Sequence, residues 1–82
     1  MPILQRSLNI YPNPTTGYLK IESEEMRIEN IEIFDIFGKK VLFQQSLISP
    51  ETVIDISHLQ GGLYFVRIQT EAGEVVRKVL KE

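Results

Sequence analysis

Cysteine is absent from the 82 residues, so disulfide frameworks, thiolate metal sites and cysteine nucleophiles are excluded together. Tryptophan is absent too, and histidine occurs once. No apolar run approaches the ~18 residues a membrane-spanning helix needs. The opening MPILQRS lacks the basic and then apolar segments of an export signal. Positive charge is not in excess: the formal net charge is -2 with a pI near 5.4. Nucleic-acid domains are usually basic, with Lys and Arg gathered on one face, so nucleic acid is not an expected partner. P-loops, dinucleotide fingerprints and nucleophile elbows are missing, as are low-complexity tracts and repeats at periods of about 20 to 50 residues.

What is present is alternation. Apolar residues recur with period two and are bounded by Gly, Pro, Asn and Asp, the pattern of half-buried strands. Leu8 and Ile10 alternate with Asn9 and Tyr11; Leu19 and Ile21 alternate with Tyr18, Lys20 and Glu22. Ile31 and Ile33 lead into a turn at Phe37-Gly38-Lys39 and a return strand through Val41 and Phe43, with Gly38 suited to a left-handed turn. A loop is expected at Ser49-Pro50-Glu51, followed by the strand TVIDI. Gly61-Gly62 then launches LYFVRIQT, with Tyr64, Val66 and Ile68 on one face, and Ala72-Gly73 turns the chain into EVVRKVLK. A chain this short buries only about 60% of its unfolded surface and holds one core. The expected fold is all-β, a small antiparallel Ig-like β-sandwich of about seven strands over residues 8–82, preceded by a linker at 1–7. Two helical rivals are weaker: Met26, Ile28 and Ile31 fit a helix face, although a loop is preferred there, and HLQGG suits a single turn.

Candidate chemistry is sparse. His58 stands beside Ser57 and Asp55, but triad side chains must converge in hydrogen-bond order, which such close neighbours on a strand and turn do not do. The reading preferred is that Asp55 or Ser57 caps a turn while Leu59 plugs the core. Asp35 and Asp55 could be paired carboxylates, yet each adjoins a turn whose backbone Asp commonly binds. Glu22, Glu24, Glu25 and Glu29 lack EF-hand spacing and read as solvated loop carboxylates, so no metal is expected. The aromatics, Tyr11, Tyr18, Phe34, Phe37, Phe43, Tyr64 and Phe65, could stack on a sugar but are read as core filler. Lys39, Lys40, Arg77, Lys78 and Lys81 lie on turns and the last strand, where charge blunts a sheet edge against self-pairing. No catalytic residue and no cofactor is expected.

The order of the punctuation carries more: LNIYPNPTTG, IEIFDIFGKKV, IDISHLQGGLYFVRI and the terminal VVRKVLK. From about Leu8 to Lys81 it resembles the C-terminal sorting domain of the type IX (Por) secretion system, type A, borne by secreted proteins of the Bacteroidetes. The family's Pro-x-x-Gly motif falls on Pro14 and Gly17, its Asp-x-x-Gly-Lys element on Asp35, Gly38 and Lys39, its Gly-x-Tyr motif on Gly62 and Tyr64, and its basic-apolar terminal strand on Lys78, Val79, Leu80 and Lys81.

The resemblance implies a signal rather than an enzyme. An N-terminal cargo would cross the inner membrane, and the domain would fold in the periplasm. The outer-membrane translocon and its shuttle components would recognise it, and a sortase-like signal peptidase would cut on its N-terminal side. The cargo would then be anchored to lipopolysaccharide at the cell surface or released. Three further expectations follow. The Pro-rich turn ends a strand, with Gly17 taking positive φ. The final strand offers an open edge for strand addition, and through such edges the domain also pairs weakly with itself. The rival from another class is an accessory sandwich that binds carbohydrate or spaces the domains of a surface enzyme, favoured if an exposed aromatic row lies near Asn and Gln.

Overall fold

The alternation is realised as seven strands: β1 (Leu8–Tyr11), β2 (Tyr18–Ser23), β3 (Ile28–Phe34), β4 (Lys40–Ser49), β5 (Glu51–Asp55), β6 (Gly62–Thr70) and β7 (Gly73–Lys81). The computed structural model describes residues 8–23, 27–49 and 51–82, the side chains of 46–49 and 51 excepted. Among these residues there is no helix, so HLQGG forms a turn and bend instead. The strands build two antiparallel sheets, ordered β1-β2-β5 and β4-β3-β6-β7. The expected small β-sandwich is therefore the fold.

The core is aliphatic. Leu19, Ile21 and Ile54 of the three-stranded sheet face Ile31, Ile33, Val66, Ile68, Val75 and Val79 of the four-stranded one, with Ile56 beneath the turn after β5. Period-two spacing puts every inward residue on one side of its strand, where each buried aliphatic side chain contributes roughly 1.5–3 kcal/mol. β3 breaks the rule: Ile28 and Ile31 are both buried although three apart, because the register shifts between Ile28 and Asn30. One extra residue at such a bulge returns the next side chain to the same face. The helical spacing of Ile28 and Ile31 is thus a bulged strand; Met26 lies outside the described residues.

Two expectations are corrected. Ser49 ends β4 and Glu51 begins β5, so both lie on strands rather than in the loop expected at 49–51; Pro50 lies outside the described residues. The aromatics do not fill the core: Tyr64 alone is buried, Phe34 and Phe65 are half-buried, and Tyr11, Tyr18, Phe37 and Phe43 are exposed. Isoleucine, leucine and valine already fill the narrow space between two short sheets, which leaves the rings outside.

Register decides which ends meet. Tyr18 pairs with Asp55, Tyr11 with Lys20, Phe34 with both Lys40 and Phe65, and Gly62 with Lys81. The turns at 12–17, 35–39 and 56–61 and the terminal residue Glu82 therefore share one pole. Leu8, paired with Ser23, lies at the opposite pole with the turn between Thr70 and Gly73.

Candidate functional site at the motif pole

Every motif singled out in the sequence reaches this one pole, and each is held by a different local device. The Pro-rich turn is the least expected. Both Tyr11-Pro12 and Asn13-Pro14 are cis. Beyond ending a strand, the turn lies along the outer edge of β7. Asn13 Nδ2 donates to the Lys78 carbonyl at 3.0 Å, and its Oδ1 accepts from Leu80 N–H at 3.0 Å. Thr15 N–H donates to the Leu80 carbonyl at 2.9 Å, and Glu82 N–H donates to the Thr15 carbonyl at 2.8 Å. Thr15 and Lys81 form a parallel β-bridge. A carboxamide and one residue of backbone thus stand in for a neighbouring strand.

Buried Thr15 secures the turn from within. Its hydroxyl donates to the Tyr18 carbonyl at 2.5 Å and accepts from Gly17 N–H at 3.2 Å. Gly17 does not take the positive φ expected of it; Gly38, Gly62 and Gly73 do. Its carbonyl accepts from Ile56 N–H at 2.8 Å, and a Cβ there would stand in ordinary contact, 3.4 Å from the Ser57 Cβ.

The β3–β4 hairpin is tied by Asp35. Its Oδ1 accepts from Phe37 N–H and Lys39 N–H, both at 2.9 Å, while its backbone bonds Lys39 and Gly38. Gly38 at φ +83° supplies the left-handed residue such a turn requires. The tip so fixed presents Ile36 and Phe37, 61% and 86% exposed, to solvent.

The 55–64 segment is tied in the same way. Asp55 Oδ1 accepts from the Ser57 hydroxyl at 2.6 Å and from Ser57 N–H at 2.8 Å, and these bonds hold its carboxyl below the ordinary value. Leu59 packs against the core, as the turn-cap reading requires. Ser57 bonds Asp55 directly, which is not the Ser–His–Asp order a nucleophile needs, and His58 is exposed beside them. Tyr64, 7% exposed, donates its hydroxyl to the Gln60 carbonyl at 2.6 Å and so fastens this turn to β6. An open groove of about 380 Å³ runs between the hairpin tip and this segment, floored by Phe37, Val41, Leu59, Leu63 and Tyr64.

On β7, Lys78 and Leu80 face solvent, while Val79 and Lys81 point inward. Lys81 is only 8% exposed and its ammonium bonds the Glu82 backbone oxygen at 3.4 Å, so it does not blunt an edge as expected. The blunting is done by Asn13 and Thr15. The open terminal edge expected of β7 is likewise corrected: from Lys78 to Glu82 it is occupied.

The outer face of the four-stranded sheet has its own order. Glu32 binds Lys40 at 2.6 Å and also Arg67, so these two cations hold its carboxyl below the ordinary value while Glu32 raises Arg67. Arg67 lies 5.2 Å over the Phe34 ring and Lys40 5.5 Å over Phe43. Phe34, Phe43 and Phe65 share this face with Asn30, Gln45 and Gln69, but the register puts Phe34 and Phe65 a row away from them, beyond Glu32, Phe43 and Arg67. Cations also cover the rings of Phe34 and Phe43. Glu22 and Glu29 sit on strands of different sheets rather than on a common loop, and Glu24 and Glu25 lie outside the described residues.

Comparison with known proteins bears on the same residues. The profile of a family described as secretion system C-terminal sorting domain matches residues 9–82. The chain belongs to that family. It is a β-sandwich of type IX secretion, and the family is a sorting signal rather than a catalyst. An ulvan lyase of Nonlabens ulvanivorans, NLR42, is 24% identical over 74 residues, which cover 90% of this chain and 14% of that protein. The sorting domain thus spans about a seventh of the relative it matches.

Sequence reasoning placed the motifs but missed three participants. Asn13 and Thr15 were passed over as turn residues, and Phe37 was assigned to the core. The signals were there. Prolines on both sides of Asn13 bar it from a paired strand and leave its carboxamide to bond elsewhere, while a phenylalanine in a tight hairpin turn cannot reach inward.

Proposed function

We propose that this sorting domain directs an N-terminal cargo through the outer-membrane type IX translocon, and that the motif pole is the surface its recognition and shuttle components read. A sortase-like signal peptidase then cuts in or before residues 1–7, and the cargo is released or anchored to lipopolysaccharide at the surface. The observation that carries this reading is the two-pole arrangement: all motifs gather at one end, and Leu8, where a cargo would join, lies at the other. A cargo joined ahead of Leu8 enters at the pole away from the motifs.

Within the pole, the motif residues divide by their surroundings. Gly17, Asp35, Gly38, Gly62, Tyr64, Val79 and Lys81 shape the surface, and Pro14 sets the turn. Lys39, Lys78 and Leu80, with Ile36 and Phe37, are outward and make the contact. The rigid, bare Phe37 is suited to anchor it, as aromatic side chains do in interface hot spots. A carbohydrate platform on the outer face of the four-stranded sheet would need free ring faces, and there cations stand over Phe34 and Phe43.

The test fuses residues 1–82 to a periplasmic reporter in a Bacteroidetes host with and without a working translocon. Translocon-dependent arrival at the surface or in the medium, with the domain removed, is the expected result, and Phe37→Ser abolishes it without altering the fold. Intact fusion protein retained in the periplasm of both hosts, with the domain folded, would overturn the proposal.

A further inference from the structure

The edge of β7 is sealed over only part of its length. β6 is its one strand neighbour among the described residues, so its even-numbered residues turn their backbone groups outward. Asn13 and Thr15 engage these groups at Lys78, Leu80 and Glu82. Nearer the other pole, no strap lies on the same edge at Glu74 and Val76 among the described residues; there the Val76 carbonyl accepts a 3.3 Å bond from the Arg77 guanidinium.

We propose that the 12–17 turn is a displaceable strap on the terminal strand, and that releasing Asn13 lets β7 pair antiparallel with β7 of a second copy, centred on Val76. The present occupant defines the chemistry of the site. An amide side chain and a backbone segment fill it, so what replaces them is an extended peptide strand. The sequence selects the copy. An isologous antiparallel pair about Val76 sets Val76 against Val76 of the other copy and Glu74 against its Lys78, twice by symmetry. All three side chains project from the outer face, where Val76 is 51% exposed and Glu74 and Lys78 are exposed. Opposite charges directly across an antiparallel pair attract. Glu74 also approaches Arg67 at 3.6 Å within its own copy, a contact the pairing leaves in place.

In this register Glu74, Val76 and Lys78 each exchange both backbone hydrogen bonds with the other copy. The Lys78 carbonyl is contested by Asn13 Nδ2, and the Val76 carbonyl only by the long 3.3 Å bond from Arg77 of the same copy. The open stretch at Glu74 and Val76 is the foothold, and the Asn13 carboxamide is the gate. The strap thus acts as the loop cover by which natural sheets guard an edge against self-association. The inference stands on the fold and is independent of the sorting reading.

Sedimentation of the full 82-residue chain over a concentration series tests it, with amide exchange read at Leu80 and Glu82. The unmodified chain stays monomeric at concentrations where Asn13→Ala forms dimers, with association strengthened at least about tenfold. Asn13→Asp, which keeps the acceptor for Leu80 N–H but loses the donor to Lys78, does the same and serves if Asn13→Ala misfolds. In either background Lys78→Glu weakens the dimer at least about fivefold through like-charge pairs, and adding Glu74→Lys restores it. A folded Asn13 variant that remains monomeric, or a dimer indifferent to the charge reversal and its rescue, overturns the proposal. Pairing only with unrelated strand peptides would also overturn it, because it would assign the edge to another partner.

Discussion

Tyr64→Phe separates holding the fold from touching a partner at a single atom. The substitution keeps the ring, its burial and its contacts, and removes the hydroxyl that donates to the Gln60 carbonyl at 2.6 Å. Gln60 is exposed, so water recovers the freed carbonyl and no buried acceptor is orphaned. The loss is then the net value of one neutral hydrogen bond, about 1 kcal/mol. For a domain of this size that corresponds to a fall in Tm of about 4–8 °C. Urea unfolding followed by circular dichroism should show a lower midpoint with an unchanged m-value, because the surface exposed on unfolding is the same. Well below that Tm, a cargo fused to the variant should be exported like the parent, since the hydroxyl points into the domain's own turn. A variant with unaltered Tm but failed export would refute this account and make the hydroxyl a contact with the machinery.

Five further substitutions test the energetics. Gly38→Ala meets no steric neighbour, so its cost is that of φ +83° alone, about 1–2 kcal/mol in urea unfolding, and Gly38→Asn should recover much of it. Ile33→Ala, at a fully buried site, should cost about 2–5 kcal/mol by the same measurement, much of the total for a chain this short. Glu32 and Asp55 titrate below their ordinary values of 4.5 and 3.8, so both contribute stability at neutral pH that is lost as acid protonates the folded form. Thermal melts should fall as pH drops below these values, and Glu32→Gln and Asp55→Asn should each flatten the fall.

Strand positions were legible because a sandwich with one buried face per strand writes its pleat directly into the sequence. Leu19 and Ile21, Tyr64, Val66 and Ile68 alternate without interruption and are buried as their spacing implies. Where the pleat is interrupted, the reading weakened. Ile28 and Ile31 looked helical because a bulge adds one residue, and a bulge leaves no local mark on periodicity. The aromatics misled for a different reason: hydrophobicity alone does not say that twelve aliphatic side chains among the described residues already fill the core. Asp35, Gly38 and Asp55 were legible because their turn chemistry is local. Asn13 was not, because its partners at Lys78 and Leu80 lie 65 and 67 residues away.

That long-range contact changes how the motifs relate to one another. The Pro-x-x-Gly turn and the basic-apolar terminal strand, nearly the full chain apart in sequence, are two halves of one structure: Thr15 bonds both Leu80 and Glu82, and Asn13 bonds Lys78 and Leu80. Gly62 joins them through its register with Lys81, and Tyr64 through its pairing with Val79. Removing residues 79–82 would take away Val79 from the core and, with Leu80 and Glu82, all the strap's partners but Lys78, so failed export after such a truncation speaks to folding as much as to recognition. Side chains that face outward without bracing the turns, Phe37 above all, are the positions at which a sorting surface can be changed while the sandwich beneath it is kept.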